Sequence, residues 1–138
     1  MIKSKSVKKT KPKKKRVIDP QKAAQRKQRL GIRAIFQRIG FDRLNADGVE
    51  FKFEGRTGEI DDIFLLDNIL VVTEYTVGKP DSGHITKKSI LYEKILNASA
   101  NWIDEYSALN SDFGTCIQQS NFRPEEFQIF ICYASLLG

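Results

Sequence analysis

Apolar and polar positions along this 138-residue chain fall into blocks with distinct periods. In residues 20–39, Leu30, Ala34 and Ile35 recur at helical spacing with Phe36 and Ile39 beside them, which predicts one apolar stripe on a polar helix. Asp19 before Pro20 is a start signal, an N-cap followed by proline at the first helical position, and Gly40 is a natural stop. Asn45-Ala46-Asp47-Gly48 reads as a turn, and residues 49–54 alternate apolar with charged positions, as a half-buried strand does. After a second turn at residues 55–58, the apolar runs 59–66 and 69–76 read as strands joined by a tight turn at Asp67-Asn68. With those two residues as the loop, Leu66 faces Ile69, Asp61 faces Glu74 and Glu59 faces Thr76. Residues 77–83 read as a loop. Residues 85–109 read as helix, broken near Asn97, with Ile85, Ile90, Leu91, Ile95, Leu96, Trp102, Ile103 and Leu109 available for a core. Residues 111–123 are expected to be irregular or a short helix. Residues 127–134 form a last strand, apolar enough for burial on both faces. The order is helix, three strands, helix, strand: an α/β fold with a small mixed sheet flanked by helices.

Charge changes this picture at one end. The net charge of +6 conceals +14 in residues 1–38 and −8 in the rest. Residues 1–18 form a polybasic arm, expected to be disordered by self-repulsion and lack of apolar residues, ahead of a domain spanning 19–138. Lys13, Lys14, Lys15 and Arg16 in the arm, with Arg26, Arg29 and Arg33 on the helix, are the candidate phosphate contacts. Such contacts add salt-dependent affinity without sequence preference. The string from Pro12 to Val17 also looks like a nuclear import signal. The Lys-rich start has no apolar region behind it and no run is long enough to span a membrane, so no membrane role is expected. The expected location is intracellular, cytoplasmic at the nucleoid in a prokaryote or nuclear in a eukaryote. Cys116, Cys132 and the single His84 supply no recognisable zinc ligand set, and the cysteines are expected to be free thiols.

The candidate chemistry lies on the acidic hairpin. Facing residues of an antiparallel pair project to one side, and like charges placed so are destabilising unless a cation lies between them. Asp61 and Glu74 are flanked by Ile60, Ile63, Phe64, Val71 and Val72, so a merely solvated strand face is the weaker reading. Glu59 is read either as a third ligand or as a solvated strand end. Asp62 points to the other face and is read as a bystander. His84 is read as a loop or helix-start residue, and the aromatic residues as core.

These elements and acids together resemble the core of the PD-(D/E)XK, or restriction-endonuclease-like, superfamily, over about residues 20–134. Gly58-Glu59-Ile60-Asp61 is similar to the "G-x-I-D" first half of its motif, and Glu74-Tyr75-Thr76 resembles the second half, with Thr76 where the motif has lysine. Residues 32–41, closing on Gly40-Phe41, are similar to the first helix of archaeal junction resolvases. Lys88 and Tyr92 have the spacing of a Gln-x-x-x-Tyr element without its glutamine. Glu74-Tyr75-Thr76 followed by Gly78-Lys79 also resembles leading segments of DNA-modification-associated proteins of the DGQHR kind.

The resemblance implies Mg²⁺- or Mn²⁺-dependent phosphodiester cleavage, on DNA. Asp61, Glu74 and the Tyr75 carbonyl would be the metal ligands, and Lys79, Lys87 or Lys88 the substitute cation. It also implies a homodimer, since many relatives cut two strands as dimers. Two alternatives stand beside it. One is a catalytically degenerate module that binds DNA or a protein partner without cleaving. The other is an interaction domain whose arm alone binds polyanions.

Overall fold

A computed structural model describes residues 19–77 and 82–136. The arm with Lys13, Lys14, Lys15 and Arg16, the loop residue Lys79 and the side chain of His84 lie outside the described part.

The first helix, α1, spans Pro20–Ile39. Asp19 caps it by accepting the Gln21 N–H at 2.9 Å, and Gly40 ends it in the left-handed region at φ 118°. The strands are β1 (Asp42–Leu44), β2 (Glu50–Phe53), β3 (Arg56–Glu59), β4 (Asp62–Leu66), β5 (Ile69–Val77) and β6 (Gln128–Leu136). Between β5 and β6 lie α2 (Ser82–Asn97), α3 (Ser99–Leu109) and α4 (Ser111–Gln119), then one 3-10 turn at Pro124–Glu126. The helix break expected near Asn97 is present, and residues 111–119 form a helix that Asn110 caps by accepting the Phe113 N–H.

The main sheet runs β1-β4-β5-β6, antiparallel except for the parallel β5/β6 pair. The fold is therefore mixed α/β, with a small mixed sheet and helices. The hairpin register is as expected from Leu66↔Ile69 as far as Asp62↔Thr73. There the ladder stops. Asp61 does not pair with Glu74, and Glu59 does not face Thr76 but pairs with Glu50 in a separate β2/β3 hairpin. The chain bends at residues 60–61, and the Asp61 carboxylate takes the Tyr75 N–H at 2.8 Å in place of a backbone acceptor.

The strand expected at residues 49–54 thus belongs to the small hairpin, whose turn residues Glu54 and Gly55 both take positive φ, 47° and 82°. Its place in the main sheet is taken by β1. Three residues are too few to show a period.

One face of the main sheet, with Ile63, Leu65, Leu70 and Val72, packs on α2, α3 and α4 in a core rich in rings. Trp102 stacks on Tyr106 at 4.8 Å between centroids, and Phe51 and Phe113 meet both rings edge-on. Leu91, Ile95, Trp102 and Ile103 are buried as expected, whereas Leu96 and Leu109 are exposed.

The other face carries Phe64 under α1, with Phe36 stacked on it at 4.3 Å. Here the expected apolar stripe fails: Leu30, Ile35 and Ile39 are 51%, 56% and 63% exposed, while Gln25 is buried. The sheet below α1 holds the buried carboxylate of Asp62, which draws the arginine side of the helix inward. The expected burial of β6 on both faces also fails. It is the sheet's last strand, and Phe130 and Tyr133 are exposed. Among the described residues no helix is long and apolar enough to cross a membrane.

Candidate functional site

Alternation along β5 sends Glu74 to the same face as Leu70 and Val72, toward α2. Glu74 is buried, and its Oε1 accepts from Lys88 Nζ at 2.9 Å and from the Tyr92 hydroxyl. Lys88 and Tyr92 are four residues apart on α2, so they share one helix face and reach the same oxygen. Lys88 Nζ also donates to the Glu59 carbonyl at 3.1 Å, which ties α2 to the end of β3. Burial pushes the Glu74 carboxyl above the usual carboxylate range, and the nearby charge of Asp61 pushes the same way. The hydrogen bonds from Tyr92 and Lys88 act in the opposite direction without overcoming it. Burial, with the charge and hydrogen bond of Glu74, pushes the Tyr92 hydroxyl far up, so it is a hydrogen-bond donor at neutral pH.

Asp61 sits half-buried at the bend before β4, its Oδ2 on the Tyr75 N–H. In a strand the N–H and C=O of one residue point to the same edge. The Tyr75 carbonyl therefore faces the edge where Asp61 lies, just past the end of the β4/β5 ladder. Asp61, Glu74 and the Tyr75 carbonyl are brought to one corner of the sheet. Thr76 Oγ1 is instead turned to the Ala134 carbonyl at 3.5 Å and carries no charge into that corner. Of the three lysines considered as substitutes, Lys88 reaches it, Lys87 is exposed, and Lys79 is outside the described residues.

Asp61 also opens onto a cleft. Arg29 and Arg33 of α1 form one wall, and Asp47, Glu59, Asp61 and Tyr75 line the rest. Glu59, on the exposed end of β3, is among the residues that line it. Next to the cleft Asp62 is fully buried. Its Oδ2 accepts from Arg33 Nε at 2.8 Å and from the Tyr75 hydroxyl, and its Oδ1 accepts from Arg43 Nε at 2.7 Å. Asp62 does point to the opposite face, but it is the anchor that locks α1 and β1 to the sheet rather than a bystander. The signal was present in sequence: an acid inside an apolar strand needs a cation, and the first helix is rich in them.

Among the described residues, no group of three or more His, Cys, Asp or Glu side chains is arranged to hold a metal ion. The donor set at the corner is smaller, two carboxylates and a backbone carbonyl. Mg²⁺ is held by one or two carboxylates with water making up its octahedron, so this set fits it. Among the described residues, Asp61 Oδ1 and Glu74 Oε2 accept no hydrogen bond. Cys116 and Cys132 are free thiols. Comparison with protein-family models, with curated proteins and with solved structures gave no match.

Proposed function

We propose that this chain is a nucleic-acid-binding, metal-dependent phosphodiesterase domain of the restriction-endonuclease-like type, acting on DNA, with Asp61, Glu74 and the Tyr75 carbonyl as ligands and Lys88 as the active-site cation. The observation that carries this reading is Lys88 Nζ on Glu74 Oε1 at 2.9 Å. It supplies, from the following helix, the positive charge that Thr76 lacks. The arrangement of three antiparallel strands and a parallel fourth after helical crossover agrees with it.

A divalent ion at this corner supplies Lewis-acid activation of a water and charge neutralisation of the phosphate. The residues of the chain do the rest. Tyr92 and Lys88 fix one oxygen of Glu74 and, among the described residues, leave the other without a hydrogen bond. The Tyr75 N–H fixes Asp61 in the same way. Lys88 places a cation where negative charge develops on the phosphate, a contribution of the electrostatic type, about 10²–10³-fold when a single such donor is removed.

The test is cleavage of plasmid and branched DNA with Mg²⁺ or Mn²⁺, with calorimetry of metal binding on the same proteins. Wild type should cut. Asp61→Ala and Glu74→Ala should neither cut nor bind metal, and Lys88→Ala should bind metal and cut about 10²–10³-fold more slowly. A wild type that neither cuts nor binds metal overturns the reading. It leaves the second one, a non-cleaving nucleic-acid-binding module.

A further inference from the structure

Lys22, Arg26, Arg29 and Arg33 follow one another at i, i+4, i+7 and i+11 on α1, so their side chains form a single line along the helix. The four do not have the same task. Arg33 is spent on Asp62, at 2.8 Å, and holds the helix down. Arg29, one turn earlier, lines the cleft that contains Asp61, and it has no ion pair among the described residues. Arg26 and Lys22 are exposed further along the line, again without an acid partner among the described residues. Lys27 and Arg38 lie on the opposite side of the helix.

Helical rise puts residue 29 about 10 Å from residue 22, and one strand of a duplex carries a phosphate every ~3.4 Å of axis. Three cations over that length lie within reach of about four phosphates of one strand. The line ends at the cleft that holds Asp61, where the proposed reaction needs a phosphate.

We infer that the line Lys22–Arg26–Arg29 is the track on which one nucleic-acid strand approaches the Asp61 cleft, and that Arg29 is a positioning residue, holding a phosphate adjacent to the one presented to Asp61 and Glu74. This inference rests on the nucleic-acid reading of the cleft. It divides the arginines of α1 into two roles, Arg29 toward substrate and Arg33 toward the fold.

The experiment is a salt titration of binding, by fluorescence anisotropy, of the full chain to a short labelled duplex and to its single strand, in EDTA so that no cleavage intervenes. Lys22→Ala, Arg26→Ala and Arg29→Ala should each lower the slope of log affinity against log salt by about one. Lys27→Ala and Arg38→Ala, substitutions on the opposite face, should leave it unchanged. With Mg²⁺ present, Arg29→Ala should also lower cleavage at saturating DNA, which Lys22→Ala should not. Thermal melting of each variant monitors folding; should Arg29→Ala melt early, Arg29→Gln replaces it.

Equal slope changes on both faces, an unchanged slope for Arg29→Ala, or no binding by wild type would overturn the track. Slope changes on the track face in a protein that never cuts would leave the track standing and remove only the nuclease.

Discussion

Glu74 is a buried carboxylate whose surroundings favour its protonated form, through burial first and the Asp61 charge beside it. The folded chain therefore binds more protons than the unfolded chain as pH rises from the ordinary carboxylate range through the raised Glu74 value. Stability falls across that window. Glu74→Gln keeps an oxygen for Lys88 and Tyr92 and removes the buried charge. It should melt at a higher temperature than wild type at neutral pH without metal, while losing metal binding in calorimetry. A lower melting temperature would show that the Lys88 charge needs the carboxylate more than burial opposes it. The same raised proton affinity should make metal binding weaken on acidification at a higher pH than an ordinary glutamate would. Asp62 is the contrasting case, a buried acid with two arginines and a tyrosine hydroxyl on it. Asp62→Ala leaves Arg33 and Arg43 without their carboxylate and should cost about 3–5 kcal/mol in chemical denaturation, with the proposed metal ligands themselves untouched.

At the scale of elements, the candidate site depends on how closely β3 packs against α2. A Cβ on Gly58 would lie 2.3 Å from Leu91 Cδ2 and 3.2 Å from the Phe51 ring. Leu91 is itself buried and cannot simply turn away. Gly58→Ala should destabilise the fold by about 1–3 kcal/mol, as overpacking does. Because Lys88 bridges Glu59 at the end of β3 and Glu74 on β5, the same substitution should slow cleavage more than metal binding. Equal loss of both would place the damage in β5 rather than in the β3–α2 contact. The glycine of the Gly58-x-Ile60-Asp61 segment is thus explained by packing, and the aspartate by the bend that follows it.

At the scale of the molecule, positive charge is concentrated in the first 38 residues and negative charge in the remainder. The α1 line carries part of that positive charge to the cleft. A chain lacking residues 1–18 should therefore keep binding DNA, more weakly and with a shallower salt dependence. Complete loss of binding on that deletion would assign all nucleic-acid affinity to the arm and favour an interaction domain with a polyanion-binding tail.

The sequence by itself determined the elements governed by local rules. Asp19-Pro20 and Gly40 bound α1, the break after Asn97 separates α2 from α3, and the two-residue turn at Asp67-Asn68 sets the β4/β5 register. Capping, turn geometry and alternation act within a few residues, so they are legible in one dimension. The tertiary structure alone decided what depends on which surface lies opposite. The three residues of β1 are a strand only because β4 offers them a ladder. The arginine side of α1 turns inward, against the apolar pattern, because Asp62 lies beneath it. The end of the ladder at Asp62↔Thr73 turned an expected Asp61–Glu74 pair into a side-chain cap on Tyr75. Lys88, 14 residues after Glu74, meets it only because α2 folds back over β5. That distance is set by helix-on-sheet packing, which no local spacing records.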